Sequence, residues 1–274
     1  RRPPRSTLFP YTTLFRSKKR LTILYICPTR ALVKGIYERL QAALANTPIS
    51  AGQKTGDTVF STSNAPHILI TTPESTDSLL CRAPRLFASL QAIVIDEIHL
   101  FDNTPRGDQL RCLLPRIERI RSFAQSGIEP MQRVGLSATV PEPEGVTARY
   151  LNDGRIVSVA GRRKLEVDTV PLYDFDQLVN AIKGRTQRKS IVFCNSRYEV
   201  EQAAVYLRKH LARQTEIFVH HGMLDRSIRQ EAERRFAEAS VAICVATSTL
   251  ELGIDIGSID DVVLLGIPYD RSEE

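Results

Sequence analysis

Along the chain, short apolar runs alternate with segments in which apolar residues recur at helical spacing. The runs are residues 21–27, 68–70, 92–95, 134–136, 191–194, 217–219, 241–245 and 262–265. Most are nearly continuous rather than alternating, as expected of strands buried on both faces. Between them, Leu32, Val33, Ile36, Tyr37, Leu40 and Leu44 mark one helical face, and Val200, Ala203, Ala204, Leu207 and Leu211 mark another. Leu110, Leu113, Leu114, Ile117 and Ile120 mark a third, which Pro115 is expected to kink or end early. Strand and helix in turn imply an α/β fold with mainly parallel sheets and right-handed crossovers.

One sheet is too small for all these runs. The pattern changes around residues 155–163, where a short strand (156–159), the segment GRRK, a new strand (165–171) and a helix (174–184) are expected. This places a boundary near residues 161–164 and gives two α/β units, 18–162 and 163–270. No solenoid repeat or low-complexity tract is present.

Composition changes this picture little. The chain is 42% hydrophobic and 25% charged, within the ordinary globular range. No apolar run approaches the roughly 20 residues that cross a bilayer, so a soluble, cytoplasmic protein with no membrane partner is expected. The five cysteines are scattered, with no C-x-x-C pair, and are expected to be reduced core thiols rather than zinc ligands. Net charge is +6, but residues 1–17 hold four Arg and no acid, and without 1–17 and 271–274 the excess falls to +3. Charge alone is weak support for a polyanion partner. Residues 7–17 (TLFPYTTLFRS) and 271–274 (RSEE) back-translate into the two strands of a common sequencing adapter. Segments 1–17 and 271–274 are therefore expected to be non-native tails, the competing reading being a real strand around Leu14 and Phe15.

Polar clusters follow the apolar runs directly, where ligands bind in open parallel sheets. Among them, Asp96 and Glu97 carry the most chemistry. Two adjacent carboxylates at the end of a buried strand cost desolvation energy unless a cation or donors compensate, which points to a metal-phosphate site. One can hold Mg2+ through its waters while the other polarises an attacking water. Adjacent His220 and His221 resemble a metal pair less than they resemble divergent strand residues, and no third ligand is apparent.

The ordered series P-T-R-A-L (28–32), T-G-D-T (55–58), T-T-P-E-S (71–75), D-E-I-H (96–99), S-A-T (137–139), V-F-C-N-S-R (192–197), H-H-G (220–222) and A-T-S-T-L-E-L-G-I-D-I-G (246–257) resembles superfamily 2 helicases of the DExD/H type. Within them it is most similar to the Lhr-like large helicases. The resemblance implies two RecA-like domains that sandwich ATP and bind nucleic acid across their tops. It implies Mg2+ coordination by Asp96, general-base catalysis by Glu97, and coupling of nucleotide state to domain closure by His99, Ser137 and Thr139. Gly253 and Asp255 would face the nucleotide near its phosphates and ribose, a plain turn being the competing reading at Gly253. Strand binding would fall to Pro28, Thr29, Arg30, Gly56, Asp57, Thr72, Pro73, Glu74, Ser196, Arg197, His221, Gly222 and Thr247, mostly groups that track phosphates without reading bases.

By this resemblance the partner is single- or double-stranded nucleic acid, DNA ahead of RNA, the cofactors are ATP and Mg2+, and the working unit is a monomer. An ATP-driven duplex translocase and a nucleotide-independent nucleic-acid-binding module are the alternatives. Two departures matter. Neither G-x-x-x-x-G-K-[ST] nor the arginine-finger segment Q-x-x-G-R-x-G-R occurs. The chain is thus expected to be a truncated motor core that hydrolyses ATP poorly. Its first sheet should lack the phosphate-loop strand, which in that family lies among those ending at Asp96 and Ser137, leaving a gap or an unpaired interior edge with apolar surface exposed.

Overall fold

The computed structural model describes residues 20–56, 58, 60–138, 140, 142–152, 154–158, 166–167, 174–184, 188–212, 214–247, 250 and 257–265. The chain divides into two compact units, Arg1–Val159 and Ala160–Glu274. Both are α/β with parallel sheets. The expected tails 1–17 and 271–274, and the expected site residues Asp57, Thr139, Gly253 and Asp255, lie outside the described residues.

In the first unit the elements run β1 (Ile23–Ile26), α1 (Arg30–Leu44), β2 (Ala51–Lys54), β3 (Ile68–Thr71), α2 (Pro73–Arg82), β4 (Ala92–Ile95), α3 (Pro105–Ala124), β5 (Gln132–Gly135) and α4 (Pro143–Tyr150). The sheet order is β2-β3-β1-β4-β5, every pairing parallel. β3 is buried at all four positions, as its unbroken ILIT run requires of a strand covered on both faces. On one face Leu24, Ile26, Ile93 and Ile95 pack against Leu79 of α2 and Leu110, Leu113, Leu114 and Ile117 of α3. On the other, Ile68 and Ile70 pack against Leu32 and Val33 of α1.

Threonines begin three of these helices. The Oγ1 atoms of Thr29, Thr72 and Thr104 accept hydrogen bonds from the backbone N–H of Leu32, Ser75 and Gly107. Such caps satisfy otherwise orphaned donors and set where each helix leaves the strand rim. Gly107 has a steric requirement too: a Cβ there would lie 1.9 Å from the Phe101 carbonyl oxygen.

Several expectations are corrected. β4 and β5 pair directly, Ala92 with Gln132 through Ile95 with Gly135, so no gap separates the strands that lead to Asp96 and Ser137. β5 is instead an outer strand among the described residues, half-buried, with Leu136 beyond it 42% exposed. α3 does not end at Pro115 but runs through it to Ala124. An interior proline costs about 3 kcal/mol, against about 1.5–3 kcal/mol for each buried Leu or Ile of this stripe. Arg121, buried in the last turn, anchors the far half by donating to the Leu90 and Glu129 carbonyls and to Glu118. Residues 156–158 form no strand and are exposed; two apolar side chains without a ladder partner have nothing to pack against. Cys81 and Cys112 are exposed on α2 and α3, whereas Cys27, Cys194 and Cys244 are core thiols.

The second unit contains α5 (Phe175–Lys183), β6 (Lys189–Cys194), α6 (Arg197–His210), β7 (Ile217–His220), α7 (Arg226–Glu238), β8 (Ala242–Ala246) and β9 (Asp261–Leu265). Its parallel sheet has the order β7-β8-β6-β9. One face carries Val192, Cys194, Ile243 and Val245 against α5 and α6. The opposite face carries Ile191, Cys244 and Ala246 against Phe236 of α7. Among the described residues no helix is long and apolar enough to cross a membrane.

Candidate nucleotide and nucleic-acid sites

Because each sheet is parallel, all its strands end at one rim, and the motif residues collect there by topology. Asp96 follows β4 directly. Its backbone N–H donates to the Ile26 carbonyl at 2.9 Å, continuing the ladder, and its side chain is only 9% exposed. The Asp96 Oδ1 atom accepts from the Glu97 N–H at 3.1 Å. Glu97 then adopts φ 46°, ψ 51°, the left-handed region, which is costly for a residue with a Cβ. Such strain is found where a side chain must be aimed, and here it turns the chain from strand into the 3-10 turn Ile98–Leu100.

The Glu97 carboxyl is held above its usual range by burial first and the Asp96 charge second, while His99 and a hydrogen bond from the Ala138 backbone work in the other direction. The His99 Nδ1 atom lies 3.5 Å from the Glu97 carboxylate and 2.7 Å from the Ser137 hydroxyl. Glu97, His99 and Ser137 therefore form one connected chain of contacts across the ends of β4 and β5. Two neighbours of Asp96 escaped the sequence reading. The Tyr25 hydroxyl points to Asp96, and burial followed by the Asp96 charge pushes the phenol far above its ordinary value. Burial, then Asp96, does the same to the Cys27 thiol. Tyr25 lies in the adjacent β1 and Cys27 just past its end, and nothing in their apolar run marks them as neighbours of the carboxylate.

Among the described residues no three His, Cys, Asp or Glu side chains converge as a metal cage. Mg2+ is commonly bound through one or two carboxylates with waters and substrate phosphates completing the shell. Asp96, nearly buried and a hard oxygen donor, fits that role, with Glu97 beside it. Bound there, Mg2+ would supply charge neutralisation at the phosphates.

On the same rim of this unit, a cleft of about 530 Å3 gathers Pro28, Arg30, Gly56, Thr72 and Glu74 from three separate motifs. Gly56 leaves room for Arg30, since a Cβ there would meet its guanidinium at 3.2 Å. Pro28 and Thr72 are buried and shape the cleft, Arg30 and Glu74 are exposed to it, and Pro73, also buried, does not line it. The cleft also contains Lys54, Arg82 and Arg106, which the sequence reading did not single out. Lys54 donates to the Thr55 and Thr58 carbonyls at 2.6 and 2.7 Å. Arg106 grips Glu74 with two hydrogen bonds, at 2.6 and 3.3 Å. Burial is the largest influence and would raise the Glu74 carboxyl, but hydrogen bonds from Arg106, its own backbone N–H and Thr72, with the Arg106 charge, together hold the group below its usual range. Four cations thus face one neutralised carboxylate. Only three-dimensional proximity reveals this, because Lys54, Arg82 and Arg106 belong to unrelated stretches of chain.

In the second unit, Ser196 caps α6 through a capping box. Its hydroxyl accepts from the Glu199 N–H, and the Glu199 carboxylate accepts from the Ser196 N–H. Arg197 follows, exposed at the first helical position. His220 and His221 diverge as strand residues must: the former meets Glu233 of α7 and the latter Glu201 of α6, each at 2.8 Å. Among the described residues, the Nδ1 atoms of both rings are buried without a partner. Gly222 is exposed at the turn that follows, and the Thr247 N–H donates to the His220 carbonyl at 3.1 Å, which sets Thr247 beside the end of β7.

Comparison with known proteins accords with these two units. The DEAD/DEAH box helicase family matches residues 6–146, and the helicase conserved C-terminal domain matches residues 173–274. The Lhr-Core ATP-dependent helicase of Methanocaldococcus jannaschii is 32% identical over 288 residues, covering 92% of this chain and 33% of its own length. Among solved structures, Mycobacterium smegmatis helicase Lhr bound to ssDNA and AMP-PNP is similar with TM-score 0.67 and 27% identity, over 90% of this chain and 36% of that one. The DUF1998 helicase MrfA bound to DNA and AMPPNP is similar with TM-score 0.77 and 25% identity, over 92% of this chain and 39% of that one. The chain spans about a third of the length of the curated relatives it matches. With more than half of its residues matched by one family and most of the remainder by that family's usual companion domain, the chain belongs to the DEAD/DEAH box helicases.

Proposed function

We propose that this chain is the greater part of the motor core of an ATP-dependent nucleic-acid helicase, acting on DNA ahead of RNA. The observation that carries the proposal is the contact chain Glu97–His99–Ser137 beside buried Asp96, on the same rim as a cleft holding Arg30, Lys54, Arg82 and Arg106. A carboxylate pair suited to Mg2+ and water, next to a groove suited to phosphates, is what coupling of hydrolysis to strand movement requires.

Each residue has a task in this reading. Asp96 holds the metal. Glu97, its carboxyl raised by burial and by Asp96, takes a proton from the attacking water; a positioned base of this kind contributes about 10²–10⁴ in rate. His99 and Ser137 tie that carboxylate to the end of β5, so a shift of either strand end alters its aim. In the cleft, Arg30 and Arg82 meet phosphates, while Arg106 keeps Glu74 from repelling them.

The phosphate loop of such a motor is not in these 274 residues. A chain extended to the length of its relatives should hydrolyse ATP, and single-stranded DNA should stimulate it. Its Glu97→Gln variant should bind DNA and nucleotide with little turnover. The 274-residue chain should bind the strand and hydrolyse little ATP. If the extended protein turns over ATP at one rate with or without DNA or RNA, the motor proposal fails.

A further inference from the structure

Tyr198 and Met223 stand out of the rim of the second unit, 71% and 72% exposed. Scattered apolar side chains on a surface need no explanation by themselves. Position gives Tyr198 its meaning. It lies in the first turn of α6, one residue after Arg197, and shares a helical stripe with Glu201, Val205 and Arg208. The direction of that stripe is set by its contacts. The Arg208 guanidinium donates to the Ile217 carbonyl at 3.0 Å, at the start of β7, and Glu201 meets His221 at 2.8 Å, just past the end of β7. The stripe therefore runs along β7 towards the rim. Tyr198, about 4.5 Å further along the axis than Glu201, stands at the rim itself, beside Arg197 and towards the turn that contains Gly222 and Met223.

Building on the reading that this rim receives a nucleic-acid strand, we propose that Tyr198 stacks on a base of a bound single strand. Ser196, Arg197 and Gly222 offer only groups that follow a phosphate backbone; they leave the bases without a contact. An exposed phenol ring one residue from the proposed phosphate anchor Arg197 offers a π face that the bases of such a strand can use. Every base has such a face, so the contact is tolerant of sequence, in keeping with a motor that must move along any strand. The ring also needs no partner within the protein: among the described residues no aromatic or cationic group stacks on it.

The chain contains no tryptophan, so Tyr198→Trp installs a lone indole reporter at the rim. This variant is titrated with an oligothymidylate and with an abasic strand of equal length, while polarisation of an end-labelled strand follows binding independently. The expected result is fluorescence quenching that saturates with oligothymidylate binding and is absent with the abasic strand. Tyr198→Ala should weaken oligothymidylate binding by about 5- to 100-fold, leave the abasic affinity unchanged, and be rescued by Tyr198→Phe. Binding of oligothymidylate without quenching, or equal affinity of the Ala variant, overturns the stacking role while the strand-binding reading stands. Absence of binding to either strand by the unmodified chain overturns both.

Discussion

Glu97 is an acid in a backbone conformation that suits glycine, and this has a measurable cost. At φ 46°, ψ 51° its Cβ crowds the following carbonyl, a penalty of about 1–2 kcal/mol for a residue other than glycine. Glycine escapes the clash but loses more chain entropy on folding, about 0.4–1 kcal/mol relative to alanine. Comparing Glu97→Gly with Glu97→Ala isolates the backbone, because both variants lose the carboxylate, its contact with His99 and its hydrogen bond from Ala138. The glycine variant should be the more stable by about 0.5–1 kcal/mol. In urea, with a slope of about 2 kcal/mol/M, its midpoint should lie about 0.25–0.5 M higher in far-UV circular dichroism. Equal midpoints, or a higher one for alanine, would show that residue 97 is not held in the left-handed region and that the carboxylate is aimed by other means.

The Glu97 carboxyl, raised above its ordinary value of 4.5, binds its proton more tightly in the fold than in the unfolded chain. Its stabilising contribution is therefore complete below about that pH and is lost as pH rises through the folded value, so Glu97→Gln should match the parent in acid and outlast it at pH 7 in denaturant midpoints. Gly107→Ala would put a Cβ 1.9 Å from the Phe101 carbonyl oxygen and 2.5 Å from the Tyr150 hydroxyl; a loss of about 1–3 kcal/mol is expected in the same assay, and a neutral result would contradict the close packing of α3 on α4. Binding of single-stranded DNA should weaken with salt, and Arg82→Ala should reduce the magnitude of the log–log slope by about 0.7–1. Arg106→Ala should cost more than Arg82→Ala, because it also frees the Glu74 charge to face the strand; equal losses would remove the shielding role.

How far the molecule was legible depends on which force writes each feature into the chain. β3, β4 and β8 are buried at nearly every position and appear as apolar runs, since burial on both faces favours apolar side chains, while half-buried β1 and the Ile191–Cys194 part of β6 are apolar as well. β2 is Ala-Gly-Gln-Lys, an outer strand half-buried at every position, and no periodicity marks it. α7 buries little beyond Phe236 and carries long polar side chains elsewhere, so its amphipathic signal is faint. The early end expected at Pro115 does not occur, because local cost is weighed against tertiary packing that sequence does not display. In the candidate site, Asp96, Glu97, His99 and Ser137 were legible as motif residues, and the structure joins them. Tyr25, Lys54, Arg82 and Arg106 were not, since each acquires its role from a neighbour on another element.

The account rests on nucleotide turnover answering to a nucleic-acid strand. The direct measurement is ATP hydrolysis by the chain extended to its relatives' length, with and without single-stranded DNA, in the parent and in Glu97→Gln. The expected result is turnover that rises several-fold with DNA in the parent and is lost in the variant while DNA binding persists. Hydrolysis indifferent to the strand, or unchanged by the loss of the Glu97 carboxylate, would contradict it.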